Sequence, residues 1–219
     1  ETWTLESIAP DLLKRKYKKP MERIAALKNL GVHLDKLEEL YHFTPVNQWP
    51  PLKELGVADY FFEELLHSIE DEEYWKDSSI ADKYEDLLVP AFHLGGWYDC
   101  FIGPTLTNYV EMAKNGLHQK LIVGPWGHGY FSSVQGECSF GVQASGDWIN
   151  LKENITDLHI NWFNHWLLGI ENKVETEAPV KIFVMGINQW RDEMEWPLER
   201  TEYTNFYLHS EGNANTKLG

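Results

Sequence analysis

Cysteine is nearly missing from this chain. Cys100 and Cys138 are the only two in 219 residues, too few for a disulfide framework, and a reducing, cytoplasmic setting is the simpler expectation. Positive charge is also scarce. Lys and Arg number 19 against 34 Asp and Glu, giving a formal net charge of −15, whereas a nucleic-acid partner would want a basic surface. The one basic run, Lys14-Arg15-Lys16-Tyr17-Lys18-Lys19, reads as the solvated face of a helix ended by Pro20. No apolar run approaches the roughly 20 residues that cross a bilayer, so no membrane span is expected. Internal repeats and low-complexity segments are absent as well.

Histidine is plentiful, with nine, but no metal-binding spacing appears among them. His159 and His165 are six apart, about 240° around a helix, and no H-E-x-x-H occurs. Asp71-Glu72-Glu73 lacks the spacing of a calcium loop and suits a helix N-terminus. The reading therefore contains no metal and no cofactor.

What is present is a pair of glycine-ended loops, each following a short apolar run. Val89-Pro90-Ala91-Phe92-His93-Leu94 leads into Gly95-Gly96-Trp97-Tyr98-Asp99, and Leu121-Ile122-Val123 leads into Gly124-Pro125-Trp126-Gly127-His128-Gly129. Such runs read as strands buried on both faces of a parallel sheet. Between them Pro104 opens a helix, Leu106, Tyr109, Val110 and Ala113 share one of its faces, and Gly116 follows its end. Strand, helix, strand is a βαβ unit, whose crossover brings both loops to one sheet edge, where open α/β sheets bind ligands. Asp99 and His128, 29 positions apart, are then delivered side by side.

An acid and then a histidine, each following a strand in successive units, is the second half of a triad in α/β-hydrolase order. The imidazole takes the proton of a weak hydroxyl nucleophile, and the carboxylate fixes the imidazole tautomer and stabilises the imidazolium. Turn chemistry at Asp99 and an ordinary loop histidine at His128 would produce the same spacing.

From Val89 to about Gly169 the residues resemble the CocE/NonD hydrolases, the cocaine-esterase-like acyl esterases related to the X-Pro dipeptidyl-peptidases of family S15. The likeness rests on Val89-Pro90-Ala91, Gly96-Trp97-Tyr98-Asp99 and Gly124-Pro125-Trp126-Gly127-His128, and runs on through Leu158–Gly169. It extends into Pro179–Gly186, Trp190-Arg191-Asp192-Glu193 and Trp196-Pro197-Leu198, which look like the opening of that family's C-terminal β-sandwich. The resemblance implies an α/β fold in three parts: a helical cap region at 1–86, the C-terminal part of an α/β-hydrolase domain at 87–170, and the start of a jelly-roll β-sandwich at 171–219. It implies a serine hydrolase that cleaves acyl esters or amides, or X-Pro peptides, with Asp99 as triad acid and His128 as triad base. Trp97, Phe101 and Trp126 flank that pair in sequence and are candidate pocket walls, with core packing as the other reading.

The family's nucleophile elbow, G-x-S-x-G, is missing. Ser139 has Glu137 where the first glycine belongs and Ser145 has Gln143; both follow the histidine, and no apolar strand feeds them. Cys100 stands beside the acid and Cys138 lies in a polar loop, so neither is presented as a nucleophile. The expectation is a fragment of a longer protein, needing its missing N-terminal segment as partner, inactive alone and open to oligomerisation. A small ester, amide or peptide is the expected substrate.

The remaining segments are local expectations. Met21, Ile24, Ala25 and Leu27 form a helical stripe that Gly31 ends, and Ala58–Leu66 forms a second helix. Pro45 to Pro51 breaks the region as a linker or hinge. Tyr60, Phe61 and Phe62 pack the cap or line an acyl pocket. A helix from Leu151 to Leu168, capped by Asn150 with Glu153 and ended by Gly169, carries a broad apolar face of Leu151, Ile155, Leu158, Trp162, Phe163, Trp166 and Leu167. Ten tryptophans admit another class, a ligand- or carbohydrate-binding module with Trp190, Trp196, Tyr203 and Tyr207 as stacking platforms. A non-catalytic homologue is the third.

Overall fold

The computed structural model describes residues 3–67 and 70–207. The chain divides into two compact units, Glu1–Ser79 and Ile80–Gly219.

The first unit is helical. A turn of wide helix at Thr4–Ile8 runs into α1 (Ala9–Lys16), followed by α2 (Pro20–Leu34), α3 (Leu37–Leu40), α4 (Pro50–Leu55), α5 (Tyr60–Glu64) and α6 (Glu72–Trp75). Its core is Leu5, Ala9, Leu13, Leu30, Trp49, Leu52 and Leu55, with Phe61 and Phe62 packed against it. Trp49 is fully buried, and its indole N–H donates to the Leu40 carbonyl at 3.1 Å. Three expectations change here. Pro20 opens α2 rather than ending a helix, because its fixed φ and missing N–H suit a first turn. The Met21–Leu27 stripe is not the buried face: Met21 is 77% exposed, α2 runs through Gly31, and Leu30 and His33 turn inward. Lys16 leaves the solvated run and donates to the Gly56 and Leu55 carbonyls at 2.7 and 3.3 Å, favourable placing for a cation at the end of α4. Asp71 caps α6, accepting from the Tyr74 N–H at 3.2 Å, as the acidic cluster suggested.

The second unit is built on a four-stranded sheet. In chain order it holds β1 (Ala91–Gly96), α7 (Ile102–Ala113), β2 (Gln119–Gly124), the two-residue strands β3 (Val134–Gln135) and β4 (Cys138–Ser139), α8 (Ile155–Leu168), β5 (Val180–Val184) and β6 (Gln189–Glu193). Sheet order is β1-β2-β5-β6, with β3 and β4 forming a separate hairpin. β1 and β2 are parallel, with His93 opposite Leu121 and Gly96 opposite Gly124. β5 joins β2 in parallel, and β6 closes the edge antiparallel.

Alternation along the strands divides the core. Leu121, Val123, Val180 and Ile182 meet Tyr109 of α7, while Ile122 and Phe183 meet Leu158 of α8 together with Trp126, Ile149 and Trp190. β2 is buried at every residue, which is why its centre, Leu121-Ile122-Val123, is apolar with no alternation. Its one buried amide is satisfied: Gln119 pairs with the His93 ring at 2.9 Å and donates to the Val89 carbonyl at 3.1 Å.

Two features differ from the sequence reading. Val180–Val184 and Gln189–Glu193, expected as the opening of a sandwich, continue the same sheet as β1 and β2. Their alternation carries no mark of which sheet a strand joins, and pairing to β2 decides it. α8 begins at Ile155, not Leu151. Asn150 and Leu151 adopt φ of 52° and 57°, outside a right-handed helix, and the cap one turn later is Asn154, whose side chain accepts from the Asp157 N–H at 2.8 Å. Leu151, Phe163 and Leu167 are consequently exposed, and the buried face narrows to Leu158 and Trp162. Gly169 ends the helix in the left-handed region, φ 66°.

Candidate active site

The loops after β1 and β2 are stitched together before any functional side chain is placed. The Trp97 N–H donates to the Gly124 carbonyl at 2.9 Å, the Tyr98 N–H to the Trp126 carbonyl at 3.0 Å, and the Asp99 N–H turns back to Gly96 at 2.9 Å. Glycine is demanded at two points by closeness of approach. A Cβ on Gly96 would lie 2.1 Å from the Trp126 carbonyl oxygen, and one on Gly124 would lie 2.3 Å from the Trp126 ring. The pattern of glycines that signalled strand ends therefore also lets one loop lie on the other.

Asp99 and His128 meet at this seam. Asp99 Oδ2 stands 3.0 Å from His128 Nδ1, within the range for a formed pair. The other carboxylate oxygen, Oδ1, accepts the Phe101 N–H at 2.8 Å. Burial pushes the Asp99 carboxyl up, but the hydrogen bonds from Phe101, His128 and the Cys100 thiol, with the His128 charge, outweigh it and hold it below the ordinary carboxylate value. An ionised carboxylate facing Nδ1 selects the tautomer that carries its proton there. His128 Nε2 is then the acceptor and has no hydrogen-bond partner among the described residues. The His128 side chain is 67% exposed and that of Asp99 14%, so the acid is anchored and the base faces outward.

The three flanking aromatics separate. Phe101 is half-exposed, and its ring meets the His128 ring edge-on at 5.0 Å. Trp126 is completely buried; its indole N–H donates to the Ala144 carbonyl at 2.7 Å and its ring packs on Phe131 and Trp190. It is a core residue and offers no surface to a substrate. Trp97 donates to the Phe183 carbonyl at 2.7 Å and stacks near Trp196 at 5.9 Å, so it too braces the seam. Both tryptophans were candidate walls because they neighbour the dyad in sequence, but one step along a strand end turns a side chain to the opposite face.

The other candidates do not converge on the dyad. Ser139 lies on β4 and Ser145 follows a short turn. Cys100 and Cys138 are both exposed free thiols; the first bonds the Asp99 carboxylate and the second the Tyr98 phenol, whose pKa is raised by burial and by that thiol. His159 bonds the Ile155 carbonyl at 2.8 Å, while His165 faces Glu175 at 3.4 Å. No group of three or more metal-ligating side chains occurs among the described residues. Trp190 is buried and donates to the Gln143 carbonyl at 2.6 Å, which removes it as a stacking platform; Tyr203 and Tyr207 are exposed. No helix among the described residues is long and apolar enough to cross a membrane. Sequence reasoning placed Cys100 beside the acid without its bond to the carboxylate, and gave no contact to Tyr98, which is half-exposed.

Comparison with known proteins gives two family matches. Residues 23–130 match the X-Pro dipeptidyl-peptidase (S15 family) model, and residues 172–219 match that of the X-Pro dipeptidyl-peptidase C-terminal non-catalytic domain. The chain is 33% identical over 176 residues to the cocaine esterase of Rhodococcus sp. (strain MB1 Bresler), an alignment covering 80% of this chain and 29% of that protein. The chain thus spans under a third of the length of that relative. Among solved structures, an aminopeptidase from a marine sediment archaeon, Thaumarchaeota archaeon, superposes with a TM-score of 0.56 at 19% identity, over 74% of this chain and 26% of the other. That likeness is one of fold.

Proposed function

The chain belongs to the X-Pro dipeptidyl-peptidase S15 and cocaine-esterase-like family, and on that premise we propose that it carries the acid and the base of a serine hydrolase that cleaves acyl esters or amides. The observation that supports the reading is the Asp99–His128 pair at 3.0 Å, formed by two loops at one edge of a parallel sheet. His128 Nε2 is the general base. It removes the proton of a serine hydroxyl as that oxygen attacks the acyl carbon, then returns the proton to the departing alcohol or amine. A second cycle through water frees the acid and regenerates the serine. Asp99 does not take the proton; it holds the ring and stabilises the imidazolium. Phe101, edge-on to the imidazole, is the pocket wall retained from the sequence reading.

The serine and the oxyanion donors belong, in this proposal, to a preceding segment of a longer protein, with residues 1–86 as its cap. No G-x-S-x-G occurs in the 219 residues, and no hydroxyl among the described residues bonds His128 Nε2. Fluorophosphonate labelling tests this. The isolated chain is expected to remain unlabelled, and a longer protein carrying it to be labelled once, at a serine before residue 1. Stoichiometric labelling of the isolated chain at Ser139, Ser145 or another serine overturns the assignment of the nucleophile. A longer protein that takes no label supports the non-catalytic homologue.

A further inference from the structure

A cavity lies on the α8 face of the sheet, at the ends of β1 and β2 opposite the dyad. It is about 370 Å³ in volume, within the range of small-molecule sites. Phe92 and Lys120 come from paired positions of β1 and β2. From Phe92 to the end of β1 at Gly96 is four residues, about 13 Å of strand, so neither Asp99 nor His128 lines it. Leu158 and Trp162 of α8, with Val174, supply apolar lining. Lys120, Lys173, Glu153 and Glu177 are the charged residues of the lining.

The two lysines and two glutamates of the lining sum to zero, but one buried donor among them is left over. Lys120 is a buried ammonium, its side chain 7% exposed. Two of its three N–H groups go to the Ala178 carbonyl at 2.7 Å and to Glu177 at 3.3 Å, and the third has no partner among the described residues. Glu153, also in the lining, faces Lys181 at 3.5 Å, and Lys181 in turn holds Asp192 at 2.7 Å. Glu177 is thus paired with Lys120, while Glu153 shares Lys181 with the closer Asp192. Lys173 at the mouth has no ion-pair partner among the described residues, and the Asn161 side-chain amide beside it makes no hydrogen bond within them.

We propose that this cavity binds a small amphipathic monocarboxylate, with the carboxylate between Lys173 and the free N–H of Lys120, and the apolar body against Phe92, Leu158 and Trp162. A cation placed between Lys120 and Lys173 meets two ammonium groups, and a wholly apolar ligand leaves the Lys120 donor unsatisfied. The site is independent of the hydrolase reading, because it shares no residue with the dyad.

Phenylacetate is the probe, titrated into the 219-residue chain and followed by ligand-observed NMR with tryptophan fluorescence as a second readout. Saturable binding is expected. 2-Phenylethanol, which keeps the body and loses the charge, and the Lys173→Ala variant with phenylacetate should each bind about tenfold more weakly, the loss of one charge-assisted hydrogen bond. His128→Ala should leave the affinity unchanged. No saturable binding, equal affinity for the alcohol, an unaltered Lys173→Ala variant, or loss of binding in His128→Ala each overturns the proposal.

Discussion

Replacing Gly124 by alanine tests whether the seam between the two loops is as tight as the structure has it. The added Cβ would sit 2.3 Å from the Cδ2 and Cε2 carbons of Trp126, where carbon atoms normally rest about 3.5–4.0 Å apart. The indole must retreat by more than about 1 Å. It has nowhere to go: the residue is wholly buried, with Phe131 and Trp190 rings at 5.3 and 5.5 Å and its N–H tied to Ala144 at 2.7 Å. Overpacking a filled core costs about 1–3 kcal/mol, and a lost buried hydrogen bond adds about 1 kcal/mol. A total of about 2–4 kcal/mol corresponds to a fall of roughly 10 °C in melting temperature for a chain of this size. Thermal unfolding by circular dichroism reads it. Gly103→Ala is the control, since nothing lies within 4 Å of its added Cβ and α7 should gain about 0.5–1 kcal/mol. A Gly124→Ala protein melting within about 2 °C of the original would refute the packing argument.

Three further outcomes follow from single contacts. Asn154→Ala should lose about 1 kcal/mol, as removal of a working N-cap does, whereas Asn150→Gly should not destabilise, because Asn150 sits at φ 52° and caps nothing; denaturant titration separates the two. Asp99 has a depressed carboxyl pKa, so its contribution to stability is present above the ordinary value of 3.8 and is lost as pH falls through the folded value. Unfolding followed from pH 6 to pH 2 should accordingly show a shallower acid limb in Asp99→Asn than in the original, and identical limbs would contradict the pairing. Lys16→Met should destabilise the first unit by about 1 kcal/mol through loss of its bonds to the Gly56 and Leu55 carbonyls, measurable as a lower midpoint in urea; an unchanged midpoint would return Lys16 to the solvated face.

The βαβ unit was legible because its signals are local and agree: an apolar run, a glycine stop, an amphipathic helix and a second run. The structure moves β1 two residues along and lengthens β2 by two residues at its start and one at its end, without changing their pairing. Positions that depended on choosing between equivalent local patterns were less legible. Asn150 with Glu153 and Asn154 with Asp157 are equally good caps one turn apart, and the tie was broken by burial of Ile149 and its pairing across to Glu153. The helical stripe of α2 failed for a similar reason, since Leu27, Leu30 and Leu34 offer a second apolar face that the rest of the unit happens to cover. In the site, residue types and spacing placed Asp99 and His128 together, but side-chain direction was invisible, so Trp97 and Trp126 stood as candidates with Phe101 until the backbone turned them inward. Lys120 lies just before the Leu121–Val123 run read as a strand and joins β2 in the structure; only its partners at Ala178 and Glu177 explain a buried ammonium there.

The central claim is that Asp99 and His128 act as acid and base in acyl transfer. Its most direct measurement is the rate of p-nitrophenyl ester hydrolysis by the longer protein that carries this chain, compared among the original, His128→Ala and Asp99→Asn at matched melting temperature. Loss of the orienting carboxylate alone costs about four orders of magnitude in turnover in such triads. The account predicts a fall of about that size in Asp99→Asn and at least as large in His128→Ala, with the fold intact. Turnover at the original rate in either folded variant would contradict it.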